Sequence, residues 1–152
     1  MEGALLELIT LIKISELDLT KNPQGLNNVS ATIDYDTKII SGDFSIPVVV
    51  SVSESGTLTT TAVNYLTGLA YTIGASTNTL KSNNAIAALM ELIQRIQLVE
   101  ATSAKNPQNV NRITGKIDNE GLTFAGTIEL ELLVSIDSIG NTVFSAKEYL
   151  LN

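Results

Sequence analysis

At 152 residues, with 44% apolar and only 16% charged content, the chain is the size of one ordinary domain and rich enough in apolar material to exclude a disordered tail. Nine Lys and Arg stand against sixteen Asp and Glu, a net charge of −7, with no cluster of cations for a phosphate backbone or an anionic membrane surface. With neither Cys nor His, disulfides, thiolate metal sites, Cys nucleophiles, imidazole bases and Ser/His/Asp catalysis are excluded by inventory.

The chain opens on an apolar run at 4–14. No basic residue precedes it, and it holds Glu7 and Lys13, so it reads as a domain element and not as a signal peptide. A stronger reason is that the run recurs internally. Shifted by 84 positions, ALLELITLI at 4–12 lies on ALMELIQRI at 88–96, and Lys-Asn-Pro-Gln at 21–24 lies on the same tetrapeptide at 105–108. Without a gap, 21 of 68 aligned positions are identical, where chance at this composition gives roughly 4 or 5. The reading is a tandem duplication: unit 1 at 1–68, a connector at 69–84 and unit 2 at 85–152.

Each unit begins with a helical pattern. Leu5, Leu8, Ile9 and Ile12 in the first copy, and Ile86, Leu89, Ile93, Ile96 and Glu100 in the second, keep 3.6-residue spacing. Ser82 or Asn83 is expected to cap the second helix, because a side-chain oxygen there accepts from an orphan amide of the first turn. A drift toward alternation over Ile12, Ile14, then Leu17 and Leu19 suggests a short strand after the first helix. The proline of Lys-Asn-Pro-Gln is expected to end the element in both copies.

Three strands are expected next. Val29, Ala31 and Ile33 alternate, and a turn follows at Asp34-Tyr35-Asp36-Thr37 or Asp118-Asn119-Glu120-Gly121. Phe44, Ile46, Val48, Val50 and Val52 predict a long strand with one buried face, as do Ile128, Leu130, Leu132, Val134 and Ile136. Hairpin turns at 53–56 and 137–140, with Gly56 and Gly140 left-handed, lead into returning strands. The start of the connector reads as one further strand. Pro47, opposite Glu131 in the alignment, cannot donate to a ladder, so its strand is expected to be an edge or bulged there. The copies also diverge across 59–64 and 143–148.

One helix on a small meander has too little core alone. The fold class expected is therefore α+β, a single domain over 1–152. Each unit is a helix and a three- to four-stranded antiparallel meander, and the two pack about a pseudo-twofold axis.

Candidate sites each have a plainer alternative. Asp34/Asp36 and Asp118/Glu120 offer hard oxygens for Ca²⁺, yet neither turn has a calcium loop's full ligand set, and an Asp capping its own turn is expected. Glu7/Glu91 and Glu16/Glu100 recur as pairs for acid–base work, but matched copies share an environment, and exposed helical glutamates are expected. Tyr35, Tyr65, Tyr71 and Tyr149 do not line up as a stacking platform; Tyr65 and Tyr149 are read as core-edge or interface residues. No phosphate-binding glycine loop occurs. No catalytic, cofactor-binding or metal-binding residue is therefore assigned, and no cofactor.

The function expected is a non-enzymatic structural or assembly subunit of a larger symmetric particle. Its most specific form is a virion protein, a phage-like capsid or tail component, in a virion or extracellular assembly. Its partners would be itself, as a homo-oligomer, and other structural proteins, with no nucleic acid and no membrane insertion. The alternative is a soluble binding module that holds a small apolar ligand between helices and sheet.

Overall fold

A computed structural model describes residues 1–67, Leu80, Ser82 and 84–151 as an α+β fold of two helices and a six-stranded antiparallel sheet. Helix α1 (Glu2–Glu16) is followed by β1 (Thr32–Asp34), β2 (Ile39–Val52) and β3 (Leu58–Ala62). Helix α2 (Ala85–Glu100) is followed by β4 (Ile113–Asp118), β5 (Thr123–Ile136) and β6 (Thr142–Ala146). The expected connector strand, Tyr71 and the Asn83 cap lie outside the described residues. Asn84 caps α2 instead, its Oδ1 accepting from the Ala87 amide at 2.9 Å.

The sheet runs β1-β2-β5-β4, with β3 on β2 and β6 on β5. β2 and β5 form its centre, paired from Ile39↔Glu131 to Pro47↔Thr123. Past Pro47, β2 pairs with β3, from Val48↔Ala62 to Val52↔Leu58. Pro47 thus sits at the junction of two ladders and not on an open edge. Its carbonyl accepts from Val63 at 2.8 Å, while the next amide, Val48, carries the ladder to Leu122 at 2.9 Å.

The alternating residues Ile40, Phe44, Ile46 and Val48, with Phe124, Ile128, Leu130 and Leu132, are buried on one face of the sheet. Val52, Val134 and Ile136, expected on the same buried stripe, are exposed. The reason is length. A helix of 15 residues covers about 22 Å, whereas a strand of 14 residues runs about 46 Å. Each long strand therefore outruns its helix and continues as a two-stranded ribbon. One contiguous core joins Leu5, Leu8, Ile9 and Ile12 of α1, Leu89, Leu92, Ile93 and Ile96 of α2, and the inner face of β2 and β5. Phe44 and Phe124 meet at its centre, ring centroids 5.4 Å apart.

The strand expected after α1 is a series of turns, in which the Asp18 carboxylate accepts from the Thr20 amide and hydroxyl at 3.0 and 2.7 Å. Nor does proline end either helix. α1 stops at Glu16, seven residues before Pro23, because the Glu16 carbonyl is taken by the Asn22 side chain at 2.9 Å; Asn106 does the same to Glu100 at 3.0 Å.

Two glycines are required by close approach. A Cβ on Gly42 would lie 1.8 Å from the Ser30 carbonyl oxygen, and one on Gly126 would lie 1.8 Å from that of Thr114. The hairpin glycines Gly56 and Gly140 are left-handed as expected, at φ 84° and 90°.

Candidate interaction surfaces

The repeated glutamates fall into two kinds. Glu16 and Glu100 are not exposed helical residues but are 6% and 7% accessible. Glu16 Oε2 accepts from the Tyr65 hydroxyl at 2.7 Å and from the amides of Asn28 and Val29 at 2.7 and 3.3 Å. Glu100 Oε2 accepts from the Tyr149 hydroxyl at 2.7 Å and the Arg112 amide at 2.8 Å. Each carboxylate is thus consumed in tying its helix end to the start of the meander and to the tyrosine that closes it. Burial, then the adjacent carboxylate, pushes both tyrosine hydroxyls well above their ordinary pKa of 10.0. Asn22 and Asn106 complete the arrangement. Beyond holding the helix carbonyl, each bonds both backbone groups of a residue four further on, Leu26 or Val110.

This triad of Glu, Asn and Tyr escaped the sequence reading. Its signal was present, as three residues identical at aligned positions, but the glutamates were expected at the surface, and Tyr65 and Tyr149, read as core-edge or interface residues, were not linked to them.

Glu7 is exposed on α1, whereas Glu91 accepts from the Ser82 amide and hydroxyl and from Arg95. Glu16, Glu91 and Glu100 thus each hold a separate set of donors. In the acidic turns, Asp34 Oδ1 accepts from the Asp36 and Thr37 amides at 2.9 and 3.3 Å, and Asp118 Oδ1 from those of Glu120 and Gly121 at 3.0 and 3.1 Å. These are the self-capped turns expected. The amides of Thr37 and Asp36 hold the Asp34 carboxyl below its usual range. Among the described residues no three metal-ligating side chains come together.

Two kinds of surface remain. The first is the pair of ribbons. On the β2–β3 ribbon Val49, Val52 and Leu58 are exposed; on the β5–β6 ribbon Leu133, Val134, Ile136, Ile139 and Val143 are exposed. Ile136 is 73% accessible, and Ile139, in the turn of the second ribbon, is 80% accessible.

The second is a pair of adjoining apolar hollows, of about 650 and 680 Å³, along the outer side of α1. Both are lined by Thr10, Ile14, Ile33 and Ile40. One continues to Lys13, Leu17 and Tyr35, the other to Leu6, Leu11 and Phe144. Tyr35 and Phe144 stand side by side above them, centroids 5.8 Å apart. On the corresponding side of α2, the hollow lined by Met90, Glu91, Gln94 and Ser82 is only about 160 Å³.

The open strand edges beside the helices are guarded. Lys13 Nζ donates to the Ala31 carbonyl just before β1, and Gln97 Nε2 donates to the Gly115 carbonyl of β4 at 3.0 Å. A helix side chain thus takes a carbonyl that another strand would otherwise seek.

Among the described residues no helix is long and apolar enough to cross a membrane. No protein-family model, curated protein or solved structure matches the chain.

Proposed function

We propose that this chain is a non-enzymatic structural subunit of a larger assembly, built from two like units about a pseudo-twofold axis. The observation that carries the proposal is the pair of ribbons that outrun the core while holding Val52, Leu58, Ile136 and Ile139 in water. A two-stranded ribbon is marginal alone, and an apolar strand beyond a core is a surface for another chain.

The register of β2 and β5 supports the pseudo-dyad. Under the shift of 84, the pair Ile39↔Glu131 becomes Pro47↔Thr123, the other end of the same ladder. The terminal bonds exchange likewise: Val48 N to Leu122 O at 2.9 Å, and Leu132 N to Lys38 O at 2.8 Å. Lys38 and Leu122 share a left-handed backbone, φ 58° and 52°, as do Gly25 and Asn109, φ 66° and 54°. The Asp43↔Thr127 pair maps onto itself under the same shift, so the proposed axis runs between these two residues.

A single chain with pseudo-dyad symmetry suits a multi-copy particle, and a virion of the phage-like capsid or tail kind is the most specific form of the reading. Light scattering across a concentration series tests it. A subunit gives a mass that rises above 16.2 kDa with concentration; a strict monomer at all concentrations overturns it. The second reading, a soluble module for a small apolar ligand, rests on the hollows along α1, whose volumes are those of ligand sites. A monomer that co-purifies with a lipid would establish that reading instead.

A further inference from the structure

We infer that the tip of the β5–β6 ribbon seats in the α1 groove of a second copy, so that subunits join head to tail. The inference rests on the assembly reading above and names the partner. Where the two halves depart from likeness, they do so in complementary ways. The turn of the β2–β3 ribbon is Ser53-Glu54-Ser55-Gly56, wholly polar, whereas the turn of β5–β6 places Ile139 where the first has Ser55. Ile139, beside Ile136 on the same ribbon, makes an apolar knob.

Among the described residues the larger hollows lie along α1. Along α1 the groove is lined by Leu6, Leu11, Ile14 and Ile40. At the aligned places of the second half stand Met90, which is buried, Arg95, which pairs with Glu91 at 2.7 Å, Leu98 and the bulkier Phe124, which fills the core. Ser82 also closes down on Glu91 there. The apolar knob thus stands at the tip of the β5–β6 ribbon, while the apolar hole is built mainly from the first half with Val143 and Phe144 of β6 at one end, and charge agrees with this pairing. Lys13, aligned with Gln97, lines the groove, while Asp137 begins the turn that bears Ile139. The Asp137 Oδ1 atom caps Ile139 and Asn141 amides at 3.0 and 2.8 Å, which leaves Oδ2 to face an ammonium group.

A knob and a hole on different parts of one chain make a heterologous contact, which closes into a ring or continues as a filament. A twofold dimer satisfies it only if both knobs and both grooves engage one another at once.

Two variants test the pairing, each borrowing the residue of the other half. Ile139→Ser removes the knob and leaves the groove; Leu11→Arg blocks the groove and leaves the knob. Sedimentation and light scattering should find each variant at 16.2 kDa under conditions where the parent is oligomeric. An equimolar mixture of the two should form a species of about twice that mass and nothing larger, because the intact knob of one meets the intact groove of the other. If the parent assembles and both variants assemble equally well, this contact is overturned while the assembly reading stands. Single variants that stay monomeric with no dimer in the mixture also overturn it. A parent monomeric at every concentration overturns both. A small apolar molecule recovered from the groove of the oligomeric parent overturns the pairing alone.

Discussion

The Tyr65 hydroxyl donates to Glu16 Oε2 at 2.7 Å across 49 residues of sequence, and so joins the end of the first helix to the end of its meander. Tyr149 and Glu100 repeat the bond at the same length and separation. Since the same Glu16 oxygen also holds backbone amides, the tyrosine is one donor among three. Tyr65→Phe should cost about 1.5–3 kcal/mol, as expected for a hydrogen bond to a charged group. Glu16→Ala should cost more, because it strands three donors at once. Denaturant unfolding of both variants checks the order, and a larger loss in Tyr65→Phe would contradict it.

Alkaline pH should weaken the fold through the same two tyrosines. Both folded pKa values are raised by burial and the adjacent glutamate. A raised acid contributes stability that is fully present below its unfolded value, about 10, and is lost as pH rises above it. Stability of the parent should therefore fall from about pH 10 upward, and the Tyr65→Phe/Tyr149→Phe double variant should show a flatter limb in thermal melts across that range.

Glu2 ties the start of α1 to the last described turn. Its Oε2 accepts from the amides of Tyr149 and Leu150 at 2.7 and 3.0 Å, deep in the protein. Burial, followed by its hydrogen bond with Glu148, raises its pKa above 4.5. The sign is that of a retained proton: its contribution is full below the ordinary carboxylate value and declines as pH rises through the raised one. Glu2→Gln keeps a neutral acceptor for both amides. Its stability relative to the parent should improve as pH rises above about 4.5, whereas Glu2→Ala should lose about 1–3 kcal/mol by orphaning the amides. Melts of the three proteins from acid to neutral pH decide this.

Gly42→Ala and Gly126→Ala should each be among the most damaging single substitutions. The added methyl meets backbone, which cannot swing aside as a side chain does. Losses at or beyond about 3 kcal/mol, the upper end for overpacking, are expected. Gly56→Ala, whose Cβ would meet nothing within 4 Å, bears only left-handed backbone strain of about 1–2 kcal/mol. Comparable losses at Gly42 and Gly56 in chemical denaturation would refute the close-approach argument.

Much of the fold was legible because its signals are periodic. The 3.6-residue spacing of Leu5, Leu8, Ile9 and Ile12 and the alternation from Phe44 to Val48 arise from local geometry, and each was read once in either half. The candidate surfaces were less so. Ile139 reads as one more residue in a polar turn, and only the reach of the ribbon shows that it stands clear of the core. Glu16 and Glu100 were misplaced at the surface, since a helical glutamate gives no sign in sequence of a tyrosine 49 residues away.

The sequence by itself determined the order of a helix followed by antiparallel strands in each half, the left-handed hairpin glycines and an inventory without imidazole or thiol, all of which depend on residue identity and local spacing. Only the tertiary structure decided that the central strands outrun their helices, that Pro47 falls where β2 changes partner, and that, among the described residues, the larger apolar hollows open along α1. Those features come from rise per residue, register and side-chain volume compared across elements, and no single stretch of chain contains them.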